Sequence, residues 1–231
     1  MAFIKEPARE TPIAMKADVV VVGGGPAGVG AAICAARNGA DTIVIEKFGS
    51  LGGTNNTGLM SVCMGNEIIV GVAREIIDRL QPEYAVDVVK KYPDINANPL
   101  THYFVDQIDG LSANELVAWD PDVAAYVMSD MLEKLGVRFA LCSLFVDTIV
   151  EDGAIKAVIV ENASGRQAIE GKVFIDATGR GEVVARSGSP YASAANEQKR
   201  PMPPGIMWKM TGVNLERLFE YQKTDPRLAV L

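Results

Sequence analysis

The sequence predicts an α/β fold in which a central parallel sheet wound with helices carries a three-stranded β-meander, followed by the start of a second domain. Three observations predict it. Asp18–Val22 (DVVVV) is a β-branched run of the kind buried on both faces of a sheet. It passes through GGGPAGVG into an alanine-rich stretch, and a second apolar run, TIVIE, follows at Thr42–Glu46. Between Leu144 and Lys172, three alternating runs are joined by EDG and ASG turns, which is a meander rather than another strand–helix–strand unit. Val173–Thr178 (VFIDAT) is once more an apolar strand, and it leads into a second glycine turn and short helix, GRGEVVARSG.

Taken in order, residues 1–17 mix charges of both signs with two prolines and carry no apolar signal core, so they are expected to form a surface arm without an export signal. Residues 18–65 form the nucleotide-binding unit. Gly23, Gly25 and Gly28 satisfy GxGxxG: the first permits a tight turn, the second lets backbone approach a pyrophosphate, and the third lets helix and strand pack closely. The helix that follows offers its N-terminal amides to the phosphates and ends at Gly39. Glu46 lies about 20 residues beyond the glycines, where an acid accepts hydrogen bonds from a ribose and repels a 2′-phosphate. The bland alternative is a turn that merely joins strand to helix. The unit by itself leaves FAD and NAD both open.

Residues 66–120 interrupt the winding. Asn66–Leu80 places Ile68, Val72, Ile76 and Leu80 four apart, one apolar face of a helix. Pro82 and Pro93 bound a second possible helix, and Asp94–Asp120 reads as irregular or short elements. Residues 121–190 resume the domain with a helix over Asp122–Leu135, Asp120 as its N-cap, Pro121 at its first position, Gly136 as its stop, and a strand at Val137–Cys142. Residues 191–231 change character at a proline cluster and begin a substrate or cap domain that is not completed.

The net charge of −7, from 22 basic and 29 acidic residues, disfavours the phosphate contacts that drive nucleic-acid binding. No uncharged apolar run approaches the roughly 20 residues that span a bilayer. Cys34, Cys63 and Cys142 are far apart, odd in number and without CxxC, so neither a disulfide framework nor a metal site is expected and a reducing cytoplasm fits.

PARETPIAMKADVVVVGGGPAGVGAA, EKFGSLGGTNNTG, the meander and FIDATGRGEVVARSGSPY together resemble the FAD-dependent oxidoreductases of the glutathione-reductase-like class, in the group with an LGG turn and a DATG motif. The resemblance runs from about Glu6 to Val213. It implies a Rossmann-like FAD-binding domain with Gly23, Gly25, Pro26, Ala27 and Gly28 along the pyrophosphate, Glu46 on the ribose and Lys47 beside it. Gly52, Gly53, Thr54 and Thr57 would follow the ribityl chain toward the flavin, the backbone at Phe145 and Val146 would meet adenine, and Ala177, Thr178 and Gly179 would flank the dinucleotide. Where the group has DGD after ATG, this chain has Arg180, Gly181 and Glu182, so a base replaces an acid.

The implied function is an FAD-dependent oxidoreductase, as subunit or fragment, passing a hydride between a small organic substrate and flavin. The alternative is a non-catalytic FAD- or ADP-binding subunit needing a partner chain. No catalytic acid or base can be named. His102 is expected at the surface or in packing, Cys63 and Met64 in packing, and Cys34 in the core. Trp119 and Trp208 are expected as buried anchors, and Asp109, Glu115 and Asp120 as a solvated edge. Thr54–Thr57 either hydrogen-bond the flavin ring or serve Asn/Thr turn chemistry. Apolar Ile206–Val213 needs cover, which implies a partner chain or homo-oligomer.

Overall fold

The computed structural model describes residues 3–4, 7–64, 69–80, 85–87, 116–192, 205–214, 217 and 220–221. The expectations for His102, Asp109, Glu115, Pro82 and Pro93 fall outside them. Among the described residues the elements are β1 (Ile13–Val22), α1 (Pro26–Arg37), β2 (Thr42–Ile45), a 3-10 turn (Gly53–Asn55), β3 (Val62–Met64), α2 (Gly71–Leu80), β4 (Ala85–Asp87), β5 (Leu116–Trp119), α3 (Pro121–Glu133), β6 (Arg138–Ala140), β7 (Leu144–Glu151), β8 (Ala154–Asn162), β9 (Gly165–Asp176) and α4 (Glu182–Ser187). They divide between two compact units, Met1–Gly53 with Met128–Met202, and Thr54–Val127 with Pro203–Leu231.

The first unit is built on one sheet in the order β6-β2-β1-β9-β8-β7. β6, β2, β1 and β9 run parallel, whereas β8 and β7 are antiparallel neighbours, so the meander extends the parallel sheet from one edge. Val20, Val22, Ile43 and Ile45 pack with Phe145, Val158, Val160 and Ile169 in a buried cluster. Each such side chain contributes roughly 1.5–3 kcal/mol when fully withdrawn from water. α1 packs on β1 and β2 and buries Gly28, Val29, Ala32 and Ile33. Cys34 lies beside that face and is exposed, which corrects its expected place in the core. Residue 34 is one helical step of about 100° beyond Ile33, outside the stripe of residues that α1 buries.

Two strands are longer than their sequence patterns suggest. β1 begins at Ile13, not Asp18, because Met15 and Ala17 pack against the core and pair with β9. The third meander run and VFID are one strand, β9: its first half pairs antiparallel with β8, and from Ala168 onward it pairs parallel with β1. The sequence pattern ends the meander at Lys172 and starts a separate strand at Val173. Gly171 serves close approach, since a Cβ there would lie 2.7 Å from Val20 Cγ2.

In the second unit β5 is the centre of a three-stranded antiparallel sheet, β3-β5-β4. α2 starts at Gly71 rather than Asn66; it buries Ile76, Ile77 and Leu80 and carries i,i+4 ion pairs Arg74–Asp78 and Glu75–Arg79. The start of α3 has the expected cap, with Asp120 Oδ1 accepting from Asp122 N–H (2.9 Å) and Val123 N–H (3.1 Å). Trp208 is 63% exposed, not a buried anchor, and Ile206, Met207, Met210 and Val213 beside it are exposed as well. The segment at 205–214 forms no strand or helix; Lys209 ties it to Asp122 at 3.2 Å. No described helix is long and apolar enough to cross a membrane.

Candidate dinucleotide-binding site

β1 ends where its last residues stop pairing, and the chain turns at once. Gly23 donates to Ile45 O (2.8 Å) and adopts φ +105°, a left-handed region open to glycine. A Cβ on Gly23 would collide with the carbonyl of Ala177, and one on Gly28 with the carbonyl of Gly23. The turn therefore packs between the start of α1 and the end of β9, with backbone against Gly23 and Gly28 and the Leu51 and Glu46 side chains against Gly24. Gly25 is the N-cap of α1, with φ −69° and no side-chain cap; Pro26 holds the first helical position, and no acidic residue occupies the first turn. A Cβ on Gly25 would meet nothing nearer than Gly53 Cα at 4.0 Å. The positive end of the helix dipole thus has no side-chain cap from Gly25 and no carboxylate in its first turn.

Glu46 follows β2 and is buried. Its Oε2 accepts from Gly24 N–H (2.7 Å) and its Oε1 from Phe48 N–H (2.9 Å), so the carboxylate ties the glycine loop to the exit of β2. Each carboxylate oxygen has a second lone pair, which leaves room for donors such as ribose hydroxyls. Lys47 is exposed, its Nζ 5.1 Å from the centre of the Phe48 ring.

The second glycine turn packs directly on the first. Gly52 donates to Gly24 O (2.8 Å), and a Cβ on Gly53 would lie 2.9 Å from Gly25 Cα. Both have positive φ. In the stretch beyond it, in the second unit, Asn55 Nδ2 donates to Met60 O of its own turn (3.1 Å), and buried Asn56 accepts from the Trp119 indole of β5 (3.4 Å). Thr54 and Thr57 are exposed. Asn55 thus makes a turn hydrogen bond, whereas Asn56 ties the stretch to β5. Cys63 is half-buried, and burial pushes its thiol pKa up against the opposing charge of Arg74.

On the meander side, the register of β7 against β8 skips Val146, so a bulge interrupts the ladder beside buried Phe145. β9 leads into Ala177, which donates to Val22 O (2.8 Å), then Thr178 and exposed Gly179. Sequence reasoning missed the residue that organises this turn. Asp176 Oδ1 accepts from the Thr178 hydroxyl (2.7 Å) and N–H (3.1 Å), while Oδ2 accepts from Val183 N–H (2.9 Å) and Val184 N–H (3.0 Å). Burial pushes the Asp176 pKa upward, but the hydrogen bonds from Val184, Thr178 and Val183 together outweigh it and hold the carboxyl below its usual range. The Thr178 hydroxyl accepts in turn from Glu182 N–H (3.0 Å). The side chain of Arg180 is exposed. No group of metal-ligating side chains occurs among the described residues.

A family model described as FAD dependent oxidoreductase matches residues 18–229. Two curated proteins named thiamine thiazole synthase, from Pyrococcus horikoshii and Pyrococcus abyssi, are 27% and 28% identical over 211 residues, 87% of this chain and 71% of each relative. A solved structure, a geranylgeranyl bacteriochlorophyll reductase-like protein from Thermoplasma acidophilum, superposes with a TM-score of 0.51 at 19% identity, covering 75% of this chain and 42% of that one. The chain therefore spans less than half of that solved chain, and the likeness is one of fold.

Proposed function

The chain belongs to the FAD-dependent oxidoreductase family, and from that premise we propose that it holds FAD in an extended form and serves the oxidation or reduction of a small organic substrate. The observation that carries the reading is the N-terminus of α1, which has no side-chain cap and no acidic residue in its first turn and is flanked by two mutually packed glycine turns. Gly23, Gly25, Pro26, Ala27 and Gly28 hold the pyrophosphate. Glu46 accepts from the adenosine ribose with Lys47 beside it, and backbone at Phe145 and the Val146 bulge meets adenine. Gly52, Gly53, Thr54 and Thr57 follow the ribityl chain, and Ala177, Thr178 and Gly179 flank the dinucleotide.

A bound flavin supplies hydride transfer; the chain's own residues supply binding, orientation and electrostatics. Phosphate charge is met by amides and the α1 dipole, since Gly25 brings no side chain that would compete. The buried Glu46 carboxylate places a negative charge where a 2′-phosphate would stand, which favours an unphosphorylated ribose. The two thiamine thiazole synthase relatives support a small organic reactant rather than a macromolecule. Residues 66–120 and 191–231 are assigned to an insertion and the start of a substrate domain, and a partner chain or second copy covers the exposed apolar segment around Trp208 in a cytoplasmic assembly.

The purified protein should carry a flavin absorbance that denaturation releases. A colourless protein that takes up no FAD from solution would overturn the reading. The partner assignment is checked by light scattering: a stable, FAD-loaded, active monomer would refute it.

A further inference from the structure

We propose that Asp176 is a positioning residue for the dinucleotide: its carboxylate clamps the turn after β9 to the start of α4 and thereby holds Ala177 against the glycine loop. The proposal builds on the FAD reading above. Its four hydrogen bonds run in two directions, with Oδ1 on Thr178 and Oδ2 on Val183 and Val184, so one side chain fixes both ends of a turn that contains Gly179 at φ +77° and Gly181 at φ +68°. Neither glycine is held by packing, since a Cβ on either would meet nothing within 4 Å. The clamp is what defines the turn.

Its output is Ala177. The carbonyl of that residue occupies the space a Gly23 side chain would need, and its Cβ lies 3.3 Å from where a Gly28 Cβ would stand. The wall of the glycine loop is therefore set from β9. The sheet order β2-β1-β9 gives the consequence. Glu46 follows β2 on one side of the α1 N-terminus, and Ala177 follows β9 on the other. ADP and FAD share the pyrophosphate on the glycine loop that Ala177 walls, and FAD alone continues past it alongside Ala177, Thr178 and Gly179. Loosening the clamp should weaken both, and FAD more than ADP.

The test titrates wild type, Asp176→Ala and Asp176→Asn with FAD and, separately, with ADP, by calorimetry. The expected result is at least a thirtyfold loss of FAD affinity in Asp176→Ala with a loss of less than tenfold for ADP. Asp176→Asn keeps one acceptor oxygen and should recover part of the FAD affinity; it also serves if the alanine variant does not fold. Equal losses for FAD and ADP would mean a general structural role and overturn the proposal, as would unchanged FAD affinity. A wild-type protein that binds ADP but not FAD would overturn the flavin reading itself and the proposal with it.

Discussion

Two glycine turns leave the C-terminal ends of neighbouring parallel strands, β1 and β9, and each opens a helix. In sequence they look alike, GGGPAG and GRGE. In structure they are opposites. The turn after β1 is packed tightly by backbone and leaves the first turn of α1 without a carboxylate. The turn after β9 is loosely packed, and Asp176 caps the first amides of α4 from outside the helix. α3 follows the second pattern with Asp120. A glycine turn before a helix thus marks a reversal of the chain; whether it can take an anion depends on whether the protein has already supplied one.

The largest effect is expected from breaking the packed turn. Gly28→Val places atoms where the Gly23 carbonyl stands, and backbone cannot yield as a flexible side chain would. Overpacking of this kind costs about 3 kcal/mol, and flavin content should fall to nothing with a lowered melting temperature. A wild-type flavin spectrum in this variant would show that the loop is not the site.

A sharper test gives α1 the acid that α4 already has. Gly25→Asp meets no left-handed strain and no close atom, so a cap can form. Stability should rise by about 1 kcal/mol from the cap, the dipole and the lost freedom of glycine in the unfolded chain. FAD affinity should fall at least about 100-fold, because two unit charges 4 Å apart repel by roughly 4 kcal/mol near a protein surface. Stability and binding should move in opposite directions; a parallel fall in both would count against the phosphate assignment.

The comparison also shows what the sequence could and could not reveal. The β1–α1–β2 unit was readable because each step has a local signature: a β-branched run, glycines at fixed spacing, small residues, then an acid. The fusion of the meander with VFID into β9 was not, since the role of Gly171 depends on Val20, its packing neighbour 151 positions away. Asp176 was missed because its partners lie up to eight residues onward, although an Asp two residues before a Thr and followed by a glycine-rich helix start is a capping pattern that could have pointed to it. Cys34 and Trp208 were placed by residue type, and burial follows which face an element presents, not type alone.

A smaller effect is expected from acid. The Asp176 carboxyl is held below its ordinary value of 3.8 in the folded protein. Its charge therefore stabilises the fold fully above the unfolded value, and that contribution is lost as pH falls through the folded value. The gap in urea midpoint between wild type and Asp176→Asn should be constant above about pH 5 and shrink as pH falls below about 4. A gap unchanged down to pH 2.5 would mean that the charge of Asp176 adds nothing to its acceptor geometry.

The smallest effect isolates the turn after β9 from the one after β1. Gly181 has φ +68° and ψ +35°, and a side chain there would meet open space. Its requirement is conformational, not steric. Gly181→Ala should cost about 1 kcal/mol, the price of a left-handed alanine, and Gly181→Asn less, because asparagine tolerates that region. Both should leave FAD affinity within a few-fold of wild type, provided the clamp on Thr178, Val183 and Val184 holds. If Gly181→Asn instead abolished flavin binding while folding normally, backbone at Gly181 would have to approach the cofactor as closely as Gly25 does, and the division between an anion-binding turn and a self-capped one would fail.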